Sequence, residues 1–402
     1  MCRTFFTFVC PYQCSMQRFA LFFLLLLPSF VEAQSQQLFR DISYKEALEK
    51  SSMESKPVFL MCYTSWCGHC KKMKEEVFID SSLIAYYNAN FICIKIDMEA
   101  GEGIDLYKKF AVKMYPTFIF LDKNGTTLYR LMGEFKPAEF IDQGKSALTV
   151  EKQLPYLQKQ FDDDVSNPDK CYAYLMALRR GAMDYTAVAS KYFATKKDSD
   201  LLNEINWKII ANGVSDINSS QFQFVLTHQK EFSAIASPGR VQRKISNIVT
   251  ETLAPMVEAK DTVNYFRKRP SAAAIHNFKV DSVLFLYDKE IYEHTFNWNG
   301  YKNVCLSGAK NFAWNDYHQL HDMADVFYKN IEDMTALSQA ALWAQHATVL
   351  NPEYSTFIVS ARLFQKTGDK TNAISMAQQG KDLAVKNGWQ YSEADQLLLQ
   401  LQ

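Results

Sequence analysis

Two cysteines, Cys67 and Cys70, lie between a strand-like and a helix-like segment, and this placement constrains the fold most. Residues 57–65, PVFLMCYTS, form a continuous apolar run bounded by turn-forming residues, which is typical of a buried parallel strand. Residues 70–88, CKKMKEEVFIDSSLIAYYN, have helical spacing. The sequence therefore predicts that the two cysteines open a helix immediately after a buried strand.

Strand and helix patterns continue to alternate around this pair, from residue 38 to residue 150. A second buried strand is predicted at 90–98, a third strand begins at Pro116, and a hairpin turn in KNGT leads to a fourth strand. The order β-α-β-α-β-β-α allows helices to cover both faces of one sheet. We therefore predict an α/β sandwich for this region.

The sequence pattern changes from residue 151 onward: strand patterns become rare, and helical patterns recur between short breaks. We predict an all-α region over 151–402. Small residues recur near 335–388 at offsets that resemble tetratricopeptide repeats, in which they let paired helices approach closely. A generic helical bundle is the alternative. The small residues are Ala340, Ala347, Ala361 and Ala373.

The N-terminal segment has the pattern of a signal peptide rather than of a folded element. Residues 19–31, FALFFLLLLPSFV, follow the basic residue Arg18. The small residues after this run resemble a signal-peptidase site, with cleavage predicted after Ala33. The run is shorter than the roughly 20 apolar residues of a transmembrane helix. We predict a signal peptide over 1–33, with translation starting at Met16, and a retained anchor is the alternative.

Charge and cysteine content exclude several classes of protein. The chain carries 44 Lys and Arg against 44 Asp and Glu, so no electrostatic footprint favours a nucleic-acid partner. Six cysteines follow the predicted signal peptide, too few and too scattered for a disulfide-stapled scaffold. Cys62 and Cys93 fall in predicted strands and are expected in the core, whereas pairing of Cys171 with Cys305 stays open. The six are Cys62, Cys67, Cys70, Cys93, Cys171 and Cys305.

A metal site or a pair of inert core thiols explains Cys67 and Cys70 less well than a redox dithiol. Structural zinc needs four ligands, and the sequence has no second CxxC. His318 and His321 lie in the helical region and are interpreted as surface or interhelix side chains. Trp66, Gly68, His69 and the lysines that follow are typical of a turn that opens a helix. No metal is therefore predicted.

The two cysteines of a dithiol at the first turn of a helix have different roles in thiol–disulfide exchange. The first sulfur, on Cys67, lies beside unpaired N–H groups and the positive end of the helix dipole, which lower its pKa and make it the nucleophile. His69 can support that thiolate by charge or hydrogen bonding. Cys70 then attacks the mixed disulfide and releases the substrate. Gly68 keeps the loop small, so that a substrate chain can approach.

These motifs resemble the thioredoxin-like family. The string Trp66-Cys67-Gly68-His69-Cys70 is that of protein disulfide isomerase domains, and Met114-Tyr115-Pro116-Thr117 is similar to the second motif of the family. The resemblance implies a thioredoxin fold over 34–150, a central mixed sheet flanked by helices, with a cis peptide before Pro116. It implies no cofactor. The residues expected at the substrate are Trp66, Gly68, Tyr115 and Pro116.

Three positions depart from this family pattern. Where the family carries a buried carboxylate, six residues before the first cysteine, this chain has Met61. Lys95 matches the family's lysine near that carboxylate but lacks the partner. Glu75 replaces a proline five residues after the second cysteine. The framework is more similar to the C-terminal domain of the transmembrane thiol:disulfide interchange reductase, although that domain keeps an acid at the Met61 position.

Together these observations predict an exported thiol:disulfide oxidoreductase, located in the periplasm of a Gram-negative bacterium. Its partners would be protein thiols and disulfides, with a membrane thiol:disulfide interchange protein as electron donor and no stable membrane insertion of its own. His69 favours an oxidising couple near roughly −180 mV, whereas the reductase-like framework favours reduction or isomerisation. The helical region would recruit substrates. The alternative is a helical interaction scaffold with the N-terminal domain as a docking module.

Overall fold

A computed structural model of the chain describes residues 1, 4 and 37–402. The predicted signal peptide therefore lies outside the described residues, apart from residues 1 and 4, and stays a prediction. The described chain divides into two compact units, and the predicted boundary after residue 150 falls shortly before that division. The first unit extends to Leu157 and includes Arg180–Met183, and the second comprises Gln158–Arg179 and Asp184–Gln402.

The first unit is built on a four-stranded mixed sheet in the order β2-β1-β3-β4. β1 pairs with β2 in parallel and with β3 in antiparallel orientation, and β3 and β4 form an antiparallel hairpin. The four strands and the hairpin between the last two agree with the sequence-based prediction. The strands are β1 Val58–Tyr63, β2 Ile92–Asp97, β3 Thr117–Leu121 and β4 Thr127–Met132.

Among the described residues five α-helices accompany this sheet, and local signals explain where they begin. Ser43 and Glu46 form a capping box at the start of α1, and Pro137 occupies the first turn of α5. The single helix predicted after Cys70 is in fact two, because the Asp80 side chain accepts the Leu83 N–H and begins a new helix. The helices are α1 Tyr44–Glu54, α2 Gly68–Lys72, α3 Ser81–Asn90, α4 Gly103–Lys109 and α5 Pro137–Leu148.

Helix α2 continues without a break into a π-helical turn at Met73–Val77. This is the place where the sequence has Glu75 instead of a kinking proline. A π-turn widens the helix and is one of the recognised causes of a bend. The helix thus has an irregular turn at the expected position without a proline to produce it.

Alternate residues of each strand supply two separate cores, one on each face of the sheet. Phe59, Phe118 and Phe120 face the core that includes Phe140 of α5. Leu60 and the other residues of opposite parity face the core that α1 and α4 cover. Helices therefore cover both faces, and the predicted α/β sandwich is confirmed.

Strand register brings four loops together at one end of the strands, which is the edge of the sheet meant below. Cys62 of β1 pairs with Thr117 of β3, and Thr117 pairs in turn with Met132 of β4. Tyr63 of β1 also pairs with Asp97 of β2. The residues after β1, β2 and β4 and the residues before β3 must therefore meet at this edge. Sequence-distant side chains of the site described below are gathered in this way.

The second unit is helical throughout its regular structure, as predicted. Its last helices pack through small side chains: Ala340, Ala347, Ala361 and Ala373 are fully buried. A methyl group at Gly380 would come within 2.9 Å of Phe357 Cβ, so these helices approach closely. The tetratricopeptide assignment stays a prediction. No helix in the described part of the chain is long and apolar enough to cross a membrane.

The remaining helices follow in chain order. They are α6 Leu154–Asp163, α7 Pro168–Arg180, α8 Thr186–Phe193, α9 Glu204–Gly213, α10 Ser220–Thr227, α11 Gln229–Ile235, α12 Pro238–Glu258, α13 Thr262–Ala273, α14 Phe278–His294, α15 Trp298–Phe312, α16 Tyr317–Asn330, α17 Met334–Leu350, α18 Tyr354–Lys366, α19 Lys370–Asn387 and α20 Ser392–Gln400.

Candidate functional site

Cys67 and Cys70 form a disulfide at the start of α2, with their Cα atoms 5.2 Å apart. Cys67 is the N-cap residue, and the Cys70 backbone N–H donates to Cys67 Sγ at 3.1 Å. A sulfur thus occupies the position where a capping oxygen usually satisfies a free N–H of the first turn. Cys67 is 5% exposed and Cys70 is fully buried, so an incoming sulfur can reach only Cys67.

Trp66 stands at the exposed rim of this disulfide and is 68% exposed. Its indole N–H donates to both carboxylate oxygens of Glu99, at 3.1 and 3.0 Å, and its ring meets the Tyr115 ring edge-on at 6.1 Å. A methyl group at Gly68 would come within 4 Å of none of the described atoms. The surroundings of Gly68 are therefore open, and the approach of a substrate chain over this residue stays a prediction.

The second predicted motif lies beside the first. The peptide bond between Tyr115 and Pro116 is cis, which confirms the prediction for this bond. Tyr115 packs against the core that contains both cysteines, and Pro116 is buried. The structure thus brings together all seven residues predicted for the site. Their roles in catalysis and substrate binding stay predictions. They are Trp66, Cys67, Gly68, His69, Cys70, Tyr115 and Pro116.

Glu134 was not predicted from the sequence, yet it is the partner of His69. One carboxylate oxygen of Glu134 pairs with His69 Nδ1, and the other accepts a hydrogen bond from Lys72 Nζ at 2.6 Å. Hydrogen bonding to Lys72 and then to His69 holds the pKa of Glu134 below its usual range. The His69 side chain therefore contacts the Glu134 carboxylate at the exposed side of the disulfide. The sequence itself predicts only that His69 supports the Cys67 thiolate.

The strand register could have located Glu134. Because Met132 of β4 pairs with Thr117, the residue that follows Pro116, the segment after β4 must lie beside the second motif. Gly133 and Glu134 are the first residues of that segment. This inference needs the correct hairpin register, and the sequence alone fixes only the approximate strand ends.

The buried side of the disulfide is apolar. Met61 is fully buried in the same core as both cysteines, and Lys95, its neighbour on β2, is exposed. Among the described residues of the first unit no Asp or Glu is buried. The buried polar side chains there are Ser51, Thr64, Thr117 and Arg130. The sequence-based expectation that Cys70 lacks the usual buried acid is therefore confirmed.

The other described cysteines are buried free thiols. Burial raises the pKa of Cys62 to about 12 and raises that of Cys93 well above its usual range. Both were predicted to be core residues, and this is confirmed. Cys171 and Cys305 in the second unit are also free. No group of three or more potential metal ligands occurs among residues 37–402.

Comparison with known proteins identifies the region that carries the site. Residues 44–147 match the family described as thioredoxin-like domain. This region belongs to the thioredoxin-like domain family. Its sheet and flanking helices are the thioredoxin fold, as predicted, and a mostly helical region follows.

Several relatives match this thioredoxin-like domain. Thioredoxin-1 of Drosophila melanogaster is 35% identical over 71 residues, which are 18% of this chain and 62% of that protein. Thiol:disulfide interchange protein DsbD of Yersinia pestis is 32% identical over 103 residues, which are 25% of this chain and 17% of DsbD. This chain therefore spans less than two thirds of either curated relative.

A solved structure also matches the thioredoxin-like domain. It is the solution structure of a candidate disulphide-isomerase from Bacteroides thetaiotaomicron, 40% identical, with 28% of this chain and 93% of that chain covered and a TM-score of 0.26. The matches to these relatives and to this structure cover between 18% and 28% of this chain.

Proposed function

We propose that the chain is a thiol:disulfide oxidoreductase that acts on the disulfides of other proteins. The observation that carries this proposal is the Cys67–Cys70 disulfide at the start of α2, in which only Cys67 is accessible. The adjacent cis Tyr115–Pro116 peptide and the similarity to thioredoxin and DsbD support it. The partner class is therefore protein thiols and disulfides.

In the reducing direction the reaction is a two-step exchange that starts from the dithiol. The Cys67 thiolate attacks one sulfur of a substrate disulfide, and the other substrate sulfur leaves as a thiolate and takes up a proton. Cys70, as its thiolate, then attacks Cys67 Sγ in the mixed disulfide and releases the second substrate thiol. Two electrons have moved to the substrate, and Cys67 and Cys70 end as a disulfide. A dithiol donor must reduce that disulfide again.

We propose reduction or isomerisation in an exported setting as the physiological direction. The similarity to DsbD and the apolar run at 19–31 support this setting, and a membrane thiol:disulfide interchange protein would be the electron donor. We further propose that the helical unit recruits or positions substrate proteins. The buried alanines of its last helices support the predicted helical hairpins, and stacked hairpins would offer a surface for that purpose.

Insulin reduction by dithiothreitol tests the proposed activity. The full chain should accelerate the reaction, and both Cys67→Ser and Cys70→Ser should abolish the acceleration because either change removes the dithiol. Cys62→Ser is the matched control, since a buried free thiol takes no part in turnover. If Cys67→Ser behaved like the unaltered chain, the scaffold alternative would be favoured.

Substrate trapping tests the proposed partner class. Cys70→Ala leaves Cys67 joined to its substrate because the resolving thiol is absent. We expect mixed disulfides with exported proteins that contain cysteines, released by reductant. Deletion of the helical region should reduce the number of trapped proteins if that region recruits them.

A further inference from the structure

Three charged or ionisable groups meet at the exposed side of the dithiol and come from two distant segments. His69 and Lys72 lie in α2, and Glu134 lies in the loop after β4. The Glu134 carboxylate uses one oxygen for each partner, so it pairs with both groups at once. We refer to His69, Lys72 and Glu134 as the rim cluster.

The loop that carries Glu134 is attached to both motifs of the site. The Gly133 N–H donates to the Pro116 carbonyl at 3.2 Å, and the Phe135 N–H donates to Met73 Sδ at 3.4 Å. Gly133 has φ +100°, a conformation that favours glycine. Glu134 is 31% exposed, compared with 74% for His69. The carboxylate is thus held in place by its backbone as well as by its partners.

We propose that Glu134 is a positioning residue that keeps the Cys67–Cys70 couple more reducing than its CGHC motif alone would make it. This inference rests on the proposed function and extends it to the control of electron flow. Glu134 would act by holding His69 and neutralising positive charge in the first turns of α2, so that less of that charge stabilises the Cys67 thiolate.

The sign of the effect follows from the charges of the two redox states. The oxidised pair is a neutral disulfide, and the reduced pair includes the Cys67 thiolate. Positive charge near Cys67 stabilises the thiolate, favours the reduced form and makes the couple a stronger oxidant. A carboxylate that pairs with His69 and Lys72 offsets that charge. Loss of the carboxylate should therefore make the couple more oxidising.

In the described part of the chain, the buried side of the dithiol offers no acid that could respond to the redox state of Cys67. Met61 occupies the place where the family carries a buried acid, and no Asp or Glu is buried among the described residues of this unit. The carboxylates that can respond to the redox state of Cys67 therefore lie on its exposed side. Glu99 and Asp97 also lie at this end of the sheet, and Glu99 is engaged by the Trp66 indole.

Redox equilibration of the full chain with glutathione tests the inference. In this equilibrium two glutathione thiols give two electrons and two protons to the Cys67–Cys70 disulfide and leave as glutathione disulfide. Acid quenching, alkylation and mass spectrometry then give the reduced fraction. We expect Glu134→Gln to raise the equilibrium constant for reduction roughly tenfold, which corresponds to about 30 mV for a two-electron couple.

Matched variants separate this effect from a general change in charge. Glu49→Gln makes the same change on α1, which packs on the other face of the sheet, and should leave the constant unaltered. Lys72→Gln should lower the constant, opposite to Glu134→Gln. The Glu134→Gln effect should shrink to less than half when His69→Gln and Lys72→Gln are also present, and Glu134→Asp should restore part of the original value.

Several results would overturn the inference. An equilibrium constant for reduction that is unchanged or lower in Glu134→Gln would overturn it. So would a roughly tenfold effect of Glu134→Gln that persists when His69→Gln and Lys72→Gln are also present. If Glu134→Gln failed to fold by circular dichroism, an unchanged or raised constant in Lys72→Gln would be equally decisive. Insulin reduction is measured separately and tests the proposed function alone. A chain that fails to reduce insulin but still shows the Glu134→Gln effect on the glutathione equilibrium would refute the proposed function and not the inference.

Discussion

The two sides of the Cys67–Cys70 disulfide differ in chemistry. The inner side is a core of Met, Phe and other apolar side chains, in which Met61 takes the place of an acid. The outer side holds His69, Lys72 and Glu134 in one hydrogen-bonded cluster. The proposed electrostatic control of this dithiol would therefore depend on groups in contact with solvent.

This contrast also explains why the motif alone does not reveal the direction of electron flow. WCGHC describes the residues between and before the cysteines, but the rim cluster includes a residue from a loop that follows β4. The same motif can therefore belong to couples of different reduction potential, according to which side chain His69 contacts in the folded protein.

Thiol labelling should show the largest contrast between the two sides. Burial raises the pKa of Cys62 to about 12, so roughly one molecule in 10⁵ carries that thiolate at pH 7. After reduction of the native chain, iodoacetamide should modify Cys67 completely before Cys62 or Cys93 shows measurable labelling by mass spectrometry. Unfolding in denaturant should abolish the difference. Comparable native rates would show that the inner side is open to solvent.

An acid placed on the inner side should disturb the fold strongly. Met61→Asp buries an unpaired carboxylate, which should lower the free energy of unfolding at pH 7 by about 3–5 kcal/mol in urea denaturation. Burial raises the carboxyl pKa in the folded state above its unfolded value. The decrease in the free energy of unfolding is therefore complete at pH values above the raised pKa and becomes smaller as the pH falls below it. Met61→Leu should change the free energy of unfolding by less than about 1.5 kcal/mol. A pH-independent loss would contradict this account.

A smaller effect is expected from the backbone that supports the outer side. Gly133→Ala forces a side chain onto a residue at φ +100° and should lower the free energy of unfolding by about 1–2 kcal/mol. It should also move the glutathione equilibrium constant toward that of Glu134→Gln, because Glu134 is displaced. Gly68→Ala, with a negative φ and open space around it, is the control and should not destabilise the fold. Equal effects at both glycines would show that Gly133 has no special role.

The smallest expected change is the salt dependence of the rim cluster. Its members are exposed or half-buried, so dissolved ions screen their interactions with Cys67. The difference in equilibrium constant between the unaltered chain and Glu134→Gln should fall from roughly tenfold in dilute buffer to less than about threefold at 1 M salt. A difference that did not respond to salt would place the effect inside the protein rather than at the rim.

The sequence predicted the parts of the fold that depend on local periodicity and on motif spacing. The succession of strands and helices along the chain and the opening of α2 at Cys67 followed from local patterns. The cis peptide before Pro116 and the missing acid at Met61 followed from the resemblance to the thioredoxin-like family. The break at Asp80 and the π-turn at Met73–Val77 followed from neither, because a continuous helical pattern hides a cap within it. Glu134 was missed because its role depends on register between strands and on side-chain reach, which no local pattern contains.

The surface location of the rim cluster separates two properties that many redox proteins couple. A buried carboxylate under the second cysteine contributes to both the stability of the core and the chemistry of the sulfurs, so its replacement alters both. Substitutions at exposed positions such as Lys72 usually change stability little. A lineage that carries this framework can therefore adjust its reduction potential through one or two surface substitutions while the folded core stays the same, which gives the domain room to adapt to different electron donors.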